Sequence, residues 1–250
     1  MPGTEAGRRE ISTGAGGDRT VELDRVAEAE VIAVLDRRAG EGERFSVLSE
    51  EIGSLDRGAP YPLVLVDPLD GSLNAKQGIP IYAVMLSLLD GPTVAAVRCG
   101  YVLNLVSGDE WTAVRGEGAH LNGRRLQVLR SQGEARIQLA GVESSPGSVL
   151  RCRRLLERAE KLRLLGSMAL SVAHTAAGSF DVFAAPFPAR IFDMTASLLL
   201  LQEAGGVASD IDGGSLAGKP VGLDRRSSLV VASSPSLHAL ALELLADRAG

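Results

Sequence analysis

The sequence predicts an α+β chain in two parts: residues 1–132 form a half with a mostly antiparallel sheet and helices, and residues 133–250 form a smaller α/β half. Three observations carry this. The apolar runs Ile79 to Leu89, Thr93 to Val106 and Glu110 to Val114 are separated by Asp90-Gly91-Pro92 and Ser107-Gly108-Asp109, which makes them an antiparallel meander. Asn122-Gly123, between Ala119-His120-Leu121 and Arg124-Arg125-Leu126, is a two-residue hairpin signal, because a mirror-image turn needs positive φ at both central positions. After Ser131-Gln132-Gly133 strands and helices alternate, which places the boundary near residue 132.

Taken in order, residues 1–17 are rich in Gly and charge without a sustained period and predict a loose arm. Leu23, Val26, Ala27, Val31, Val34 and Leu35 recur at helical spacing and predict a helix from Val21 to Arg38, ending before Gly40. Phe45 to Leu48 and the denser Tyr61 to Val66 are predicted strands, the second apolar enough to be buried on both faces. Beyond the meander, Arg136 to Gly141 is a predicted strand and Val149 to Lys161 a predicted helix. Gly166-Ser167 opens an Ala-rich helix to Ala177 with Gly178 as its stop, and Phe192-Asp193 opens another that ends at Gly205-Gly206. Leu229 to Ala232 is a last strand before a C-terminal helix.

The 250 residues, 45% hydrophobic and 23% charged, are globular material, which excludes disordered and fibrous classes. Apolar stretches such as Leu198 to Leu201 fall far short of the roughly 18 residues a membrane span needs. The first twenty residues lack the apolar middle of a signal peptide, so a cytoplasmic protein is expected. Cys99 and Cys152 stand far apart without ligand-spaced neighbours and predict buried free thiols. A net charge of -5 is too acidic for a phosphate-backbone binder, so no nucleic-acid partner is expected. An acidic chain can still hold an anionic substrate where cations such as Mg²⁺ bridge the two.

The chemistry concentrates in Asp67-Pro68-Leu69-Asp70-Gly71-Ser72, directly after the buried strand. Pro68 stiffens the turn that presents the two carboxylates, and Gly71 lets backbone N–H groups approach a ligand. Turn and cap roles are the other reading of Asp67 and Asp70. Ser49-Glu50-Glu51 adds a carboxylate at the end of an apolar run, where open sheets commonly place ligands, although adjacent glutamates are usually just solvated. Asp193 is expected as the N-cap of its helix, a role that would suffice to explain it.

Together these segments resemble the inositol monophosphatase family of lithium-sensitive, magnesium-dependent phosphatases. The motifs that carry the resemblance run in order from Gly17-Asp18-Arg19-Thr20 through Leu23-Asp24, Ser49-Glu50-Glu51, residues 67–72 with Asn74, and Gly78-Ile79-Pro80. They continue through Gly116-Glu117-Gly118-Ala119, Leu121-Asn122-Gly123, Gly166-Ser167 and Phe192-Asp193-Met194-Thr195-Ala196 to Glu203-Ala204-Gly205-Gly206. The resemblance implies the layered αβαβα fold of the sugar phosphatases, with the site between the halves, and a homodimer. It implies that Glu50, Asp67, the Leu69 carbonyl, Asp70 and Asp193 hold two or three Mg²⁺ ions, and that Gly71 and Ser72 N–H groups hold the phosphate. Glu50 would orient the attacking water, helped by the Ser72 hydroxyl paired with Asp24. Asp70, Gly166, Ser167 and Arg190 would also bind substrate; Arg190 looks like the arginine seen in archaeal members that also hydrolyse fructose 1,6-bisphosphate, and a second phosphate would suit its guanidinium. A plain surface arginine is the other reading of Arg190.

Departures from the pattern bear on the substrate. Ala184-Ala185-Pro186 stands where animal members carry a glutamate that contacts the polyol, and Phe192 replaces a tryptophan. Ala75 replaces a phenylalanine, and the N-terminal helix looks truncated. The implied substrate is therefore a small sugar or polyol phosphate, fructose 1,6-bisphosphate or inositol monophosphate. Phosphoadenosine phosphate phosphatase and a non-catalytic RNA polymerase accessory protein are the alternatives. Three signals are set aside. His174 is expected in the core, with His120 and His238 lacking ligand-spaced neighbours; Gly116-Glu117-Gly118 is expected to be hairpin structure; Arg151, Arg153, Arg154 and Arg158 with Glu157 and Glu160 form a solvated face.

Overall fold

A computed structural model of the chain describes residues 2–8, 10–17, 19–128 and 136–246, so the boundary expected near 132 lies outside the described residues. In place of a loose arm, the start of the chain forms a short helix, α1 (Glu5–Arg8), and a two-stranded ribbon of β1 (Glu10–Thr13) and β2 (Arg19–Val21). The long helix follows as α2 (Glu22–Gly40).

The first large sheet contains β3 (Phe45–Ser49), β4 (Gly53–Asp70), β5 (Ala83–Leu89), β6 (Val97–Asn104), β7 (Glu110–Val114), β8 (Gly118–Leu121) and β9 (Arg124–Arg125), in that spatial order. The strand expected over Tyr61 to Val66 is one arm of β4. Gly53 to Arg57 pairs antiparallel with β3, and Leu63 to Val66 returns parallel to it. From β4 to β9 every pairing is antiparallel, as the turn signals require. A 3₁₀ turn (Val94–Ala96) shortens the predicted Thr93 strand. Asn122 (φ 51°) and Gly123 (φ 74°) make the β8–β9 turn.

A short helix α3 (Ser72–Gln77) follows β4. The second sheet is assembled from β10 (Leu139–Val142), β11 (Lys161–Arg163), β12 (Val182–Arg190), β13 (Val207–Ser209) and β14 (Arg226–Ala232), in the order β11-β10-β12-β14-β13. Between these strands lie α4 (Pro146–Arg151), α5 (Arg153–Arg158), α6 (Met168–Ala176) and α7 (Thr195–Ala204), and α8 (Pro235–Ala246) ends the described chain. The single helix predicted over Val149 to Lys161 is thus two, broken at Cys152, with Cys152 and Leu155 both fully buried. Sequence reasoning missed β12 because of Pro186 and Pro188; these fall where the β12–β14 register shifts between Ala185 and Ala189, a place where a residue without N–H costs no ladder bond.

Side-chain alternation stacks these elements into layers. On β12, Phe183 and Ala185 face α6 and α7 while Val182 and Ala184 face the opposite way, toward Leu155 and the α8 residues Leu237 and Ala241. Leu229 and Val231 of β14 divide from Val230 and Ala232 in the same manner. Helices α6 and α7 are therefore enclosed by both sheets, sharing one core with Met85, Trp111 and Leu229. Val31 and Leu35 of α2 cover the outer face of the first sheet against Val47 and Val66. The result is the expected αβαβα order. His174 sits in the middle layer, edge-on to Trp111 at 5.3 Å and stacked on Phe180 at 5.8 Å, and is a packing residue. Gly116 and Gly118 donate backbone N–H groups to the Glu203 carboxylate, so that motif is hairpin structure. The Arg153–Glu157 pair is highly exposed, as the solvated-face reading expects.

Gly100 of β6 meets α7 backbone to backbone: a Cβ there would lie 2.7 Å from the Ala196 carbonyl oxygen and 3.0 Å from its Cα. Gly100→Ala is expected to lose about 1–3 kcal/mol, because backbone cannot step aside as a side chain can. The check is the midpoint of urea unfolding at unchanged slope.

Candidate active site

Three chain segments converge at one end of the first sheet. Glu50 follows β3, Asp67 and Asp70 end β4, and Asp193 lies in a 3₁₀ turn (Phe192–Met194) that leads into α7. Asp193 is not the helix cap that the sequence suggests; Met194 takes that position, and Arg190 Nε donates to Asp193 Oδ2 at 2.9 Å. Thr195, wholly buried, shares a 2.7 Å hydrogen bond with Ser87 of β5, which ties this turn to the sheet.

Glu50, Asp67 and Asp193 each bring a carboxylate oxygen within 4.8 Å of the others. Asp67 is 2% exposed, and its Oδ1 accepts from the Leu69 N–H at 3.1 Å. Arg190 Nη2 pairs with Glu50 at 2.5 Å, so one guanidinium bridges Glu50 and Asp193. Gly16 of the ribbon covers this pair: its N–H donates to the Glu50 carbonyl at 2.7 Å, and a Cβ there would lie 2.6 Å from Arg190 Nη1. Buried Asp193 Oδ1 has no hydrogen-bond partner among the described residues. An orphaned carboxylate oxygen beside two further carboxylates is an all-oxygen donor set of the kind Mg²⁺ takes, and the residues fit a divalent cation.

The fourth predicted ligand, Asp70, turns away from this group. It accepts from the Ser167 hydroxyl and from the N–H groups of Met168 (3.1 Å) and Ala169 (3.0 Å), at the N-terminus of α6. Gly71 (φ 88°) makes the approach possible, since a Cβ there would meet the carbonyl oxygens of Ile81 at 3.0 Å and Gly166 at 3.3 Å. Asn74 Nδ2 clamps the same junction through the Ile81 (2.8 Å) and Leu165 (2.6 Å) carbonyls. Leu69 is buried, and Ser72 is exposed at the start of α3, which packs against α2 where Asp24 is buried. Gly166, Ser167, Arg190 and Asp193 share the lining of a cavity of about 380 Å³ with Arg226 and Phe187.

Glu28 is a residue that sequence reasoning missed. Its buried carboxylate accepts from the Ser49 hydroxyl and from the Ile52 N–H at 3.1 Å, bracketing Glu50 on both sides. The available signal was its place one helical turn after Asp24 on α2.

Burial first, then repulsion from Glu50, Asp70 and Asp193, pushes Asp67 well above the usual carboxylate range, with Arg190 opposing. Burial raises Asp70 to about 6 against its hydrogen bonds from α6. Burial raises Asp193 to about 7 even with Arg190 beside it. Without cations the folded chain thus binds more protons than the unfolded chain between about pH 4 and 7, and its stability falls as pH rises through that window. Metal-free protein should accordingly melt lower at pH 8 than at pH 5, and saturating Mg²⁺ should reverse the order; scanning calorimetry with and without chelator reads both.

The whole chain is similar to known proteins. The chain is 34% identical over 256 residues to a fructose-1,6-bisphosphatase/inositol-1-monophosphatase of Methanothermobacter thermautotrophicus, covering 98% of this chain and 90% of that protein. It is 36% identical over 208 residues to the Nus factor SuhB of Pseudomonas aeruginosa, covering 78% and 73%. A solved structure from Pyrococcus horikoshii, described as having similarities to inositol-1 monophosphatase, superposes with a TM-score of 0.79 at 26% identity, over 97% of this chain and 90% of that one. With the inositol monophosphatase family profile matching residues 4–249, the chain belongs to the inositol monophosphatase family.

Proposed function

We propose that this chain hydrolyses small sugar or polyol phosphates, fructose 1,6-bisphosphate or inositol monophosphate among them, with two or three Mg²⁺ ions at Glu50, Asp67, the Leu69 carbonyl, Asp70 and Asp193. The observation that carries the reading is the Glu50, Asp67 and Asp193 group, mutually repelling around the buried Asp67 and sharing Asp193 with the cavity. Bound Mg²⁺ supplies Lewis acidity, lowering the pKa of water and neutralising the phosphoryl oxygens. Glu50 orients the attacking water, and the Ser72 hydroxyl backed by Asp24 helps draw its proton. The Gly71 and Ser72 N–H groups hold the phosphate, while Asp70, Gly166 and Ser167 position the sugar or polyol. Water adds to phosphorus as the ester P–O bond breaks, releasing inorganic phosphate and the alcohol.

The intact carboxylates favour catalysis over a purely accessory role. The two halves, 1–132 and 133–250, would supply the metal ligands and complete the site respectively, in a cytoplasmic homodimer; no helix among the described residues is long and apolar enough to cross a membrane. Phosphate release from fructose 1,6-bisphosphate and inositol 1-phosphate, with Mg²⁺ and with chelator, tests the activity. Release that chelator abolishes is expected; no release from either substrate with Mg²⁺ bound would refute it.

A further inference from the structure

Glu50 is delivered to the site by the tight turn that joins β3 to the first arm of β4. Ser49, at the start of that turn, pairs with Gly53 on one arm of β4 and with Val66 on the other. The Glu50 N–H donates to the Val66 carbonyl at 3.2 Å, which ties the turn to the residue before Asp67. The ribbon holds the same turn through the carbonyls of Glu50 (2.7 Å, from the Gly16 N–H) and Glu51 (2.9 Å, from the Ala15 N–H). The last N–H of the turn, that of Ile52, is taken by Glu28 of α2.

Glu28 is 4% exposed, and a single oxygen, Oε1, accepts both the Ile52 N–H at 3.1 Å and the Ser49 hydroxyl. Among the described residues these are its only hydrogen-bond partners, and no cation stands within ion-pair reach of it. A carboxylate buried without a cation depends wholly on the donors it accepts from, and both of these donors flank Glu50. Hydrogen bonds to a charged acceptor are roughly twice as strong as neutral ones, so one point on α2 grips the turn on both sides of the residue it presents. We propose that Glu28 is a positioning residue for Mg²⁺: by holding Ser49 and Ile52 it aims the Glu50 carboxylate at the oxygens of Asp67 and Asp193. This rests on the metal-dependent phosphatase reading above and adds to it a residue that touches neither metal nor substrate. Without Glu28 the Ile52 N–H loses its acceptor, and Glu50, already paired with Arg190 Nη2, has a competing position into which the loosened turn can relax.

The test is Mg²⁺ affinity, read by calorimetric titration of wild type, Glu28→Ala and Glu28→Gln, each also in a Glu50→Gln background. Glu28→Ala should weaken Mg²⁺ binding about tenfold to a hundredfold, the usual cost of losing a group that orients a ligand. Glu28→Gln keeps the acceptor without the charge and should give an intermediate affinity. In the Glu50→Gln background Glu28→Ala should cost less than about twofold more, because its effect passes through Glu50. A cap that serves the turn alone would lower the melting temperature in chelator and leave the affinity of the folded protein unmoved, which would overturn the proposal. Equal losses in both backgrounds would also overturn it, as would a Glu28→Gln loss as large as that of Glu28→Ala, since the charge would then act by its field. If Glu28→Ala does not fold, Ser49→Ala, which removes one of the two anchors, decides by the same cycle: a loss of affinity that vanishes with Glu50→Gln supports the proposal, and an unchanged affinity overturns it. Wild type that binds no Mg²⁺ would sink the metal reading and this proposal together, whereas wild type that binds it with Glu28→Ala unaffected sinks this proposal alone.

Discussion

Asp67→Asn should lower kcat for phosphate release by about a thousandfold while raising the melting temperature of the metal-free protein. The two signs have one cause. Asp67 is 2% exposed and is repelled by Glu50, Asp70 and Asp193, so its charge disfavours the folded state until cations offset it. Asparagine keeps a side-chain oxygen for the Leu69 N–H and removes the charge, relieving repulsion in the same step that removes a metal ligand. Several kcal/mol of transition-state stabilisation depends on those cations, hence the thousandfold. Steady-state kinetics with Mg²⁺ and calorimetry in chelator measure the two halves. Retained activity would remove Asp67 from the metal set, and a lower metal-free melting temperature would contradict the repulsion argument.

Arg190→Ala should act in the opposite sense on stability. Its guanidinium is the cation that bridges Glu50 and Asp193, whose side chains are 12% and 16% exposed. Removing one partner of a buried ion pair leaves uncompensated charge and costs about 3–5 kcal/mol. In a chain of this size that corresponds to a fall of about 10 °C in melting temperature. The loss should be largest in chelator at pH 8, smaller near pH 5 where Asp193 takes up a proton, and mostly restored by saturating Mg²⁺. A loss independent of both pH and Mg²⁺ would mean that Arg190 acts through packing alone.

The site was legible in the sequence to the extent that its residues sit at the ends of recognisable elements. Apolar runs that stop at Ser49 and Val66 already deliver Glu50 and Asp67 to a sheet edge, and Asn122-Gly123 shows its turn because only a few residues tolerate positive φ. The β12 strand was hidden by its two prolines, since propensity weighs the missing N–H and cannot see that the register has a gap there. Glu28 was hidden because its value lies in two hydrogen bonds to the chain around Glu50, more than twenty residues away.

Chain order alone determined which carboxylates the protein carries, the antiparallel character of the first sheet and the alternating texture of the second, because these follow from local periodicity and turn chemistry. Tertiary structure decided how those carboxylates are shared out. Asp70, three residues from Asp67, turns to the N-terminus of α6, while Asp193, more than a hundred residues away, joins Glu50 and Asp67. Opposing Arg190 to Arg226 likewise needs two strands in register. Such pairings depend on through-space distance and on the repulsion and burial it brings, and neither is a property of sequence spacing.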